Sequence, residues 1–468
     1  MVSSQRFGNL SQLVLFFNSL VAAAPASSTA NHHGKTNEYD YIVIGSGPGG
    51  GTLASNLALG GYSVLLLEAG DDSTYQEADV PIVGMDGRYW IGKTDPPEGS
   101  ELLGIYYPRG ATLGGSSMIN GLNVHLPPDK LWDSYAELLG DGMTNPYMKA
   151  LAEDIGEKQP LTDLVRRDPN VLDPRRDTQE AIYGLALHTY ANGIRYSSRY
   201  LVQETAADIC RDDNDSGILR NATARREVIV SGGAFNSPQI LMLGGVGPKD
   251  HLESLGIDVV FDSPGVGQNL MDNKELPIIA QGIAYVNASL VLGYPLLKTN
   301  ASLDGENDIW LLQAGVPFRG FWPSNQTNEN LPKDSPGTWG VSMVKSNPQN
   351  TVGYVRLRTK DPRDRPEINF NLFASDGDKV DQSAMRETMN HIRRNFVRSG
   401  AEVVETACPS RLNTDGCCSD PDLRVRGVDE LRVVDASSFP KVPGWFPALP
   451  TFMIAQKVSE EMVKELKH

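Results

Sequence analysis

Short aliphatic and β-branched runs, separated by glycine-rich or polar turns, set the pattern of this chain. Tyr39-Asp40-Tyr41-Ile42-Val43-Ile44 is a compact apolar run of the kind seen where a strand is buried on both faces, and it predicts a parallel strand. Gly45-Ser46-Gly47-Pro48-Gly49-Gly50 follows directly. A helical pattern comes next, with Leu53, Leu57 and Ala58 on one face, and then a second buried strand, Ser63-Val64-Leu65-Leu66-Leu67, ending at Glu68. Later in the chain, Arg226 to Val230 predicts a strand running into the Gly232-Gly233 turn, after which Ser237 is expected to cap a short apolar helix. Asp381 to Val397 predicts a helix with Met385, Met389, Ile392 and Phe396 along one face, and the apolar positions Tyr354, Val355 and Leu357 predict a sheet in a second domain.

The first residues read differently. Arg6 is followed by the apolar stretches Leu13–Phe17 and Leu20–Ala24, and then by the small-residue sites Ala22-Ala23-Ala24 and Ala24-Pro25-Ala26. That order is expected of a secretory leader covering residues 1–26, too short to span a bilayer. N-x-S/T sequons at Asn214, Asn221, Asn287, Asn300 and Asn325 agree with export, hence with a glycoprotein. Cys408 is spaced to close a short loop with Cys417 or Cys418, as suits an oxidising compartment, and no nearby histidine completes a zinc pattern. No metal site is expected. A formal charge of −16 repels phosphate backbones, so no nucleic-acid partner is expected, and no later stretch predicts a membrane span.

The glycine run carries the chemistry. Gly45 permits a tight turn, Gly47 lets the backbone approach a diphosphate, and Gly50 lets helix and strand pack closely. The helix start then offers free N–H groups and the positive end of its dipole to the phosphates. Glu68, ending the next strand, is placed for the adenosine ribose hydroxyls. Strand, glycines, helix, strand and acid within one βαβ length specify a dinucleotide site. Export favours FAD over NAD, because a buried FAD is loaded once whereas diffusible NAD has no dependable supply outside the cell.

Gly45–Gly70, through GSGPGGGTLASNLA and VLLLEAG, resembles FAD enzymes of the glucose–methanol–choline family. Tyr107-Pro108-Arg109-Gly110-Ala111-Thr112-Leu113-Gly114-Gly115-Ser116-Ser117-Met118-Ile119-Asn120-Gly121 looks like the first family signature. Gly233 to Leu241, continuing to Gly247-Pro248, is similar to the second, with Gly244 where that signature usually has serine. Leu431-Arg432-Val433-Val434-Asp435-Ala436-Ser437, with Met453-Ile454-Ala455, resembles the C-terminal flavin-contacting segment. The runs PRGATLGGSS, GVGQNLMDN and VPGWFPALPTFM are most similar to fungal secondary-metabolite members, the patulin synthase and versicolorin B synthase group.

The resemblance implies an α/β chain: a Rossmann-type FAD-binding domain with a smaller, sheet-containing α+β substrate domain. The cofactor domain is expected from residues 36–125, 195–275 and 420–468, and the substrate domain from 126–194 and 276–419. Arg109, Thr112, Gly114, Ser116, Asn120, Asp435, Ala436 and Pro447 are then expected to contact FAD beside Gly45, Gly47, Gly50 and Glu68. The implied reaction is oxidation of a small-molecule alcohol by hydride transfer to the flavin.

The resemblance fails at two places. Family members carry a histidine, paired with histidine or asparagine, near the C-terminus; here Cys408–Cys417 contains no histidine, and the second position aligns with Phe446. Where the family places several strands, between Leu201 and Arg225, the sequence shows only the polar stretch Asp208–Asn221. His125, the histidine nearest the flavin, reads either as a substitute base or as a loop residue without a role; His251 reads as a surface residue, His391 as a polar-face or packing residue of its helix and His188 as a core side chain.

Overall fold

The computed structural model describes residues 20–23, 37–70, 109–120, 133–137, 190–191, 194–195, 197–206, 208–211, 221–281, 291–293, 296–303, 305, 307–314, 337–371, 377–398, 400–405, 431–439 and 447–464. In chain order the elements that position the site begin with β1 (Leu20–Ala23), β2 (Glu38–Ile44), α1 (Pro48–Leu59) and β3 (Val64–Glu68). They continue with α2 (Ser198–Thr205), β4 (Asp208–Arg211), β5 (Thr223–Val230) and α3 (Gly233–Leu243). A second group comprises β6 (Lys274–Gln281), β7 (Val291–Gly293), β8 (Ile309–Ala314), β9 (Thr338–Lys345), α4 (Gly377–Arg398) and β10 (Glu402–Glu405). The chain then returns to the first group with β11 (Leu431–Val433) and α5 (Ala448–Lys464).

The first sheet runs in the order β11-β5-β2-β3-β1-β4. β11, β5, β2 and β3 are mutually parallel, with Ile42 opposite Leu65 on one side and Val228 on the other. Because alternate side chains point to opposite faces, Tyr41, Val43, Val64 and Leu66 pack with Leu53 and Leu57 of α1 and Met453, Ile454, Ala455 and Val458 of α5. Ile42, Ile44, Leu65 and Val230 pack with Ile240–Met242 of α3 on the other face. Helices on both faces of a largely parallel sheet make this the doubly wound α/β arrangement.

Two short strands extend one edge of this sheet. Leu20–Ala23, within the stretch expected to be a leader, form β1, antiparallel to both β3 and β4. Asp208–Arg211, read as part of a polar stretch, form β4 and close the sheet edge. Ser237 is also a correction: the helix starts at Gly233 behind Gly232, so Ser237 lies inside it, five residues past the cap. Its hydroxyl accepts the Gly232 N–H at 2.9 Å and donates to Asp435 Oδ2.

The second sheet, β7-β8-β9-β6-β10, is antiparallel throughout. The expected helix at Asp381–Val397 is α4, slightly longer, and it lays Met385, Met389, Ile392 and Phe396 onto Ile278, Ala280, Leu311, Val341 and Met343. Tyr354–Arg356 pairs with Glu367–Asn369 as a two-stranded ribbon, apart from this sheet, and Val355 packs against Phe235 of α3.

A buried charge cluster pins α4. Lys274 and Lys345 lie directly opposite on β6 and β9, a pairing that repels unless countered. Lys274 Nζ reaches Asp378 Oδ1 at 2.6 Å and Asp381 Oδ2 at 2.5 Å, both on the first turns of α4. Lys345 Nζ donates to the Ser346 carbonyl at 2.7 Å and lies 3.5 Å from Asp308 Oδ2. Asp308 in turn accepts the Thr299 N–H and hydroxyl, each at 2.8 Å. Pairing and hydrogen bonding together offset the desolvation that burial of these ions costs.

Candidate functional site

The site lies at the carboxyl ends of β2, β3, β5 and β11, the crevice where open α/β sheets hold ligands. Gly45 follows β2 at φ +99°, and its N–H donates to the Leu67 carbonyl at 2.7 Å. A Cβ there would strike the Ser231 carbonyl after β5, so glycine is required on two counts. Gly50 packs against the Gly45 carbonyl, closing α1 onto the sheet. A Cβ on Gly47, by contrast, would meet no atom within 4 Å.

Gly47 is the N-cap of α1, with no side-chain cap, Pro48 behind it and no acid in the first turn. A helix start without a side-chain cap and with its positive dipole end thus lies beside the open side of Gly47, an arrangement suited to a diphosphate. Glu68 is nearly buried. Its Oε2 accepts the Ser46 N–H at 2.9 Å and the Ser46 hydroxyl at 2.6 Å, and its Oε1 accepts the Gly70 N–H at 2.9 Å. A carboxylate has about four acceptor positions, so Oε1 retains one for a ribose hydroxyl.

The loop 109–120 closes over the same place. Gly114, at φ +100°, donates its N–H to Ser46 Oγ at 2.9 Å, and Gly115 abuts Gly47. Thr112 is fully buried, its carbonyl accepting the Gly115 N–H, and its backbone crosses Gly70. Ser116 Oγ accepts the Gly110 N–H at 3.1 Å, while the Ser116 carbonyl accepts from half-buried Asn120. Arg109 points toward α3: Nη1 donates to Asn236 Oδ1 at 2.8 Å and the guanidinium stacks 4.7 Å over Phe235.

From the C-terminal segment, Val434 and Asp435 cross Gly49 at the start of α1. Asp435 is buried and takes three protein donors: the Gly233 N–H, the Ser237 hydroxyl and the Ser437 N–H. Its side chain therefore ties the two turns together, and half-buried Ala436 opens the short turn that follows. Pro447 is exposed at the head of α5, and its carbonyl accepts the Thr451 N–H and hydroxyl.

His125 and His188 lie outside the described residues, as do Cys408, Cys417, Cys418 and Phe446. His251 is a correction. Rather than facing solvent, it is half-buried and its Nε2 accepts the Leu357 N–H at 3.2 Å. Burial, with the Arg356 charge beside it, holds its pKa below the usual histidine value. His391 pairs with Asn395 at 2.9 Å on α4, and burial lowers its pKa too. Neither partner belongs to the crevice.

Sequence reasoning missed Ser46, Ser198 and Asn236. Ser46 occupies a variable position of the glycine motif, and Ser198 carries no local signal at all. Both become visible only when loops distant in sequence meet.

The C-terminal stretch 348–455 and the segment 201–275 each match a family model described as GMC oxidoreductase. An oxygen-dependent choline dehydrogenase of Pseudomonas syringae pv. syringae (strain B728a) is 30% identical, with 91% of this chain and 94% of that protein aligned. The glucose methanol choline oxidoreductase atC of Aspergillus terreus (strain NIH 2624 / FGSC A1156) is 28% identical over 92% of this chain and 93% of its own length. The alignment to the Pseudomonas protein runs over 539 positions, more than the 468 residues present here, so this chain is internally shortened relative to it. Among solved structures, a formate oxidase variant from Aspergillus oryzae RIB40, studied for its FAD modification, superposes with a TM-score of 0.71 at 19% identity. That match covers 92% of this chain and 99% of the oxidase. A fungal aryl-alcohol oxidase gives 0.66 at 16% identity, covering 93% and 100%.

The two glycines make a sharp contrast. Gly47→Ala is expected to leave the fold intact while lowering FAD affinity about tenfold or more, since its methyl would occupy ligand space and a factor of ten needs only ~1.4 kcal/mol. Gly50→Ala should instead destabilise the apoprotein, because its methyl meets backbone. Thermal melts of the apoproteins alongside flavin titrations check both; a Gly47→Ala protein binding FAD at full strength contradicts the placement.

A glycine-lined crevice with an acid at its rim, two matching family models and a relative at 30% identity together place this chain in the GMC oxidoreductase family of FAD-dependent oxidoreductases.

Proposed function

We propose that this chain oxidises a CH–OH group of a small molecule to a carbonyl, and that its substrate is a secondary metabolite. The observation that carries the first part is the fit of the crevice to FAD: a helix start without a side-chain cap beside the open side of Gly47, and a spare acceptor on Glu68. FAD held there would supply the acceptor for the hydride, which carries both electrons away from the carbinol carbon. The Gly47–Gly51 turn holds the diphosphate, Glu68 the ribose, and the tie from Asp435 to Gly233 and Ser237 keeps the second turn in register. The hydroxyl proton must pass to a base, for which His125 is the candidate. Relatives named for choline and a fungal neighbour named for aryl alcohols support an alcohol substrate. The runs PRGATLGGSS, GVGQNLMDN and VPGWFPALPTFM support the secondary-metabolite class.

A second reading has its own observation. No histidine occurs between His391 and His468, and the chain is shortened against its relatives. Phenylalanine at 446 neither takes nor gives a proton. A flavin-holding protein without alcohol turnover, either a non-redox cyclase or an inactive paralogue, accounts for this. The spectrum of the purified protein separates the readings. Yellow protein that bleaches anaerobically with small alcohols supports oxidation, and yellow protein that no alcohol bleaches supports the second reading. Colourless protein that takes up no added FAD overturns both.

We also propose entry into the secretory pathway and N-glycosylation, supported by the leader pattern and the sequons; among these, Asn221 is exposed and Asn300 is exposed but hydrogen-bonded to Glu387. Cleavage after Ala24 or Ala26 would remove the segment that forms β1. N-terminal sequencing of the protein from culture medium is expected to begin at Pro25 or Ser27. A product retaining Leu20–Ala23 contradicts the leader and favours β1 as a permanent strand.

A further inference from the structure

Ser46 is the middle residue of the first glycine pair, fully buried, and every polar atom it carries is used. Its N–H and hydroxyl both donate to Glu68 Oε2, at 2.9 and 2.6 Å. The same hydroxyl accepts the Gly114 N–H at 2.9 Å. Its carbonyl accepts the Ser198 hydroxyl at 2.9 Å, and that hydroxyl also lies 3.1 Å from the Gly114 carbonyl and 3.2 Å from Ser117 Oγ. Ser117 Oγ donates to the Gly114 carbonyl at 2.6 Å. A continuous hydrogen-bonded chain thus joins the acid at the end of β3 to the loop over the diphosphate site, with Ser46 at its centre.

We propose that Ser46 is a positioning residue for the adenosine half of FAD, setting which oxygen of Glu68 meets the ribose. Two donors from one residue fill Oε2, so the carboxylate cannot rotate without losing both. Gly70 takes one position on Oε1. The acceptor that remains is therefore fixed on Oε1, and the ribose hydroxyl is read by a carboxylate already oriented rather than by one that must be ordered on binding. Because Gly114 donates to the same hydroxyl, ribose recognition and closure of the 109–120 loop share one proton network. Buried networks of this kind strengthen when complete and weaken throughout when one member is lost.

This inference rests on the FAD site above, and the wild-type arm tests that site separately. Titrate wild-type, Ser46→Ala, Glu68→Gln and the double variant with FAD and with its 2′-deoxyadenosine and 3′-deoxyadenosine analogues, following flavin fluorescence. Wild type is expected to prefer FAD over at least one deoxy analogue by about tenfold or more, the scale of a hydrogen bond to a charged group. Ser46→Ala should lose most of that preference, and in the Glu68→Gln background it should change the preference no further. Ser46→Cys, close in size but a weak donor, is the second variant should alanine prevent folding, and it should show the same loss. A Ser46 variant that binds both FAD and the analogues more weakly by one common factor, or one that keeps the full preference, overturns the proposal. Wild type that binds no FAD at all overturns the cofactor site itself.

Discussion

At the carboxyl ends of β2, β3, β5 and β11 the backbone passes so close to itself that side chains are excluded. A methyl on Gly45 would meet the Ser231 carbonyl, one on Gly50 the Gly45 carbonyl, and one on Gly49 the Val434 carbonyl. This crowding has a consequence for chemistry. With their neighbours held at contact distance, α1 begins at an N-cap without a side-chain partner, Gly47, whose own side-chain position meets no atom within 4 Å among the described residues. Three turns far apart in sequence, ending β2, β5 and β11, are locked by these approaches and by Asp435, which bonds across two of them. The second sheet is secured in a different way, with buried lysines of its strands clamped by carboxylates of α4 and a neighbouring loop.

Much of the first lobe was legible because its signals are local. A buried parallel strand needs a short apolar run, a tight turn needs glycine, and the next strand must end in an acid within one βαβ length; each occupies consecutive residues. The same holds for α4, whose Met385, Met389, Ile392 and Phe396 repeat at helical spacing. Ser46, Ser198 and Asn236 were missed for the converse reason. A serine in a variable motif position has no signature until Gly114 and Glu68 are brought to it. Lys274 and Lys345 likewise look like ordinary strand charges until cross-strand register sets them side by side against Asp378, Asp381 and Asp308.

Where the structure departs from the sequence reading, register and tertiary contact decide. Asp208–Arg211 is polar in composition yet pairs as β4, because an open sheet edge offers unpaired N–H and C=O groups to any extended segment. Ser237 fails as a cap because Gly232 takes that place five residues earlier. His251 is drawn in from the surface by a single backbone donor, the Leu357 N–H. The cofactor half of the site is thus more strongly determined by this chain than the proton-transfer half.

Amide hydrogen exchange of the full chain, with and without FAD, tests the central claim most directly. Slowed exchange confined to peptides covering Gly45–Leu53, Leu66–Gly70 and Arg109–Asn120, with the β6–β9 strands unchanged, is the expected outcome. Saturating FAD that leaves those three segments unprotected, or protects other segments instead, would contradict the crevice as the place where the dinucleotide is held.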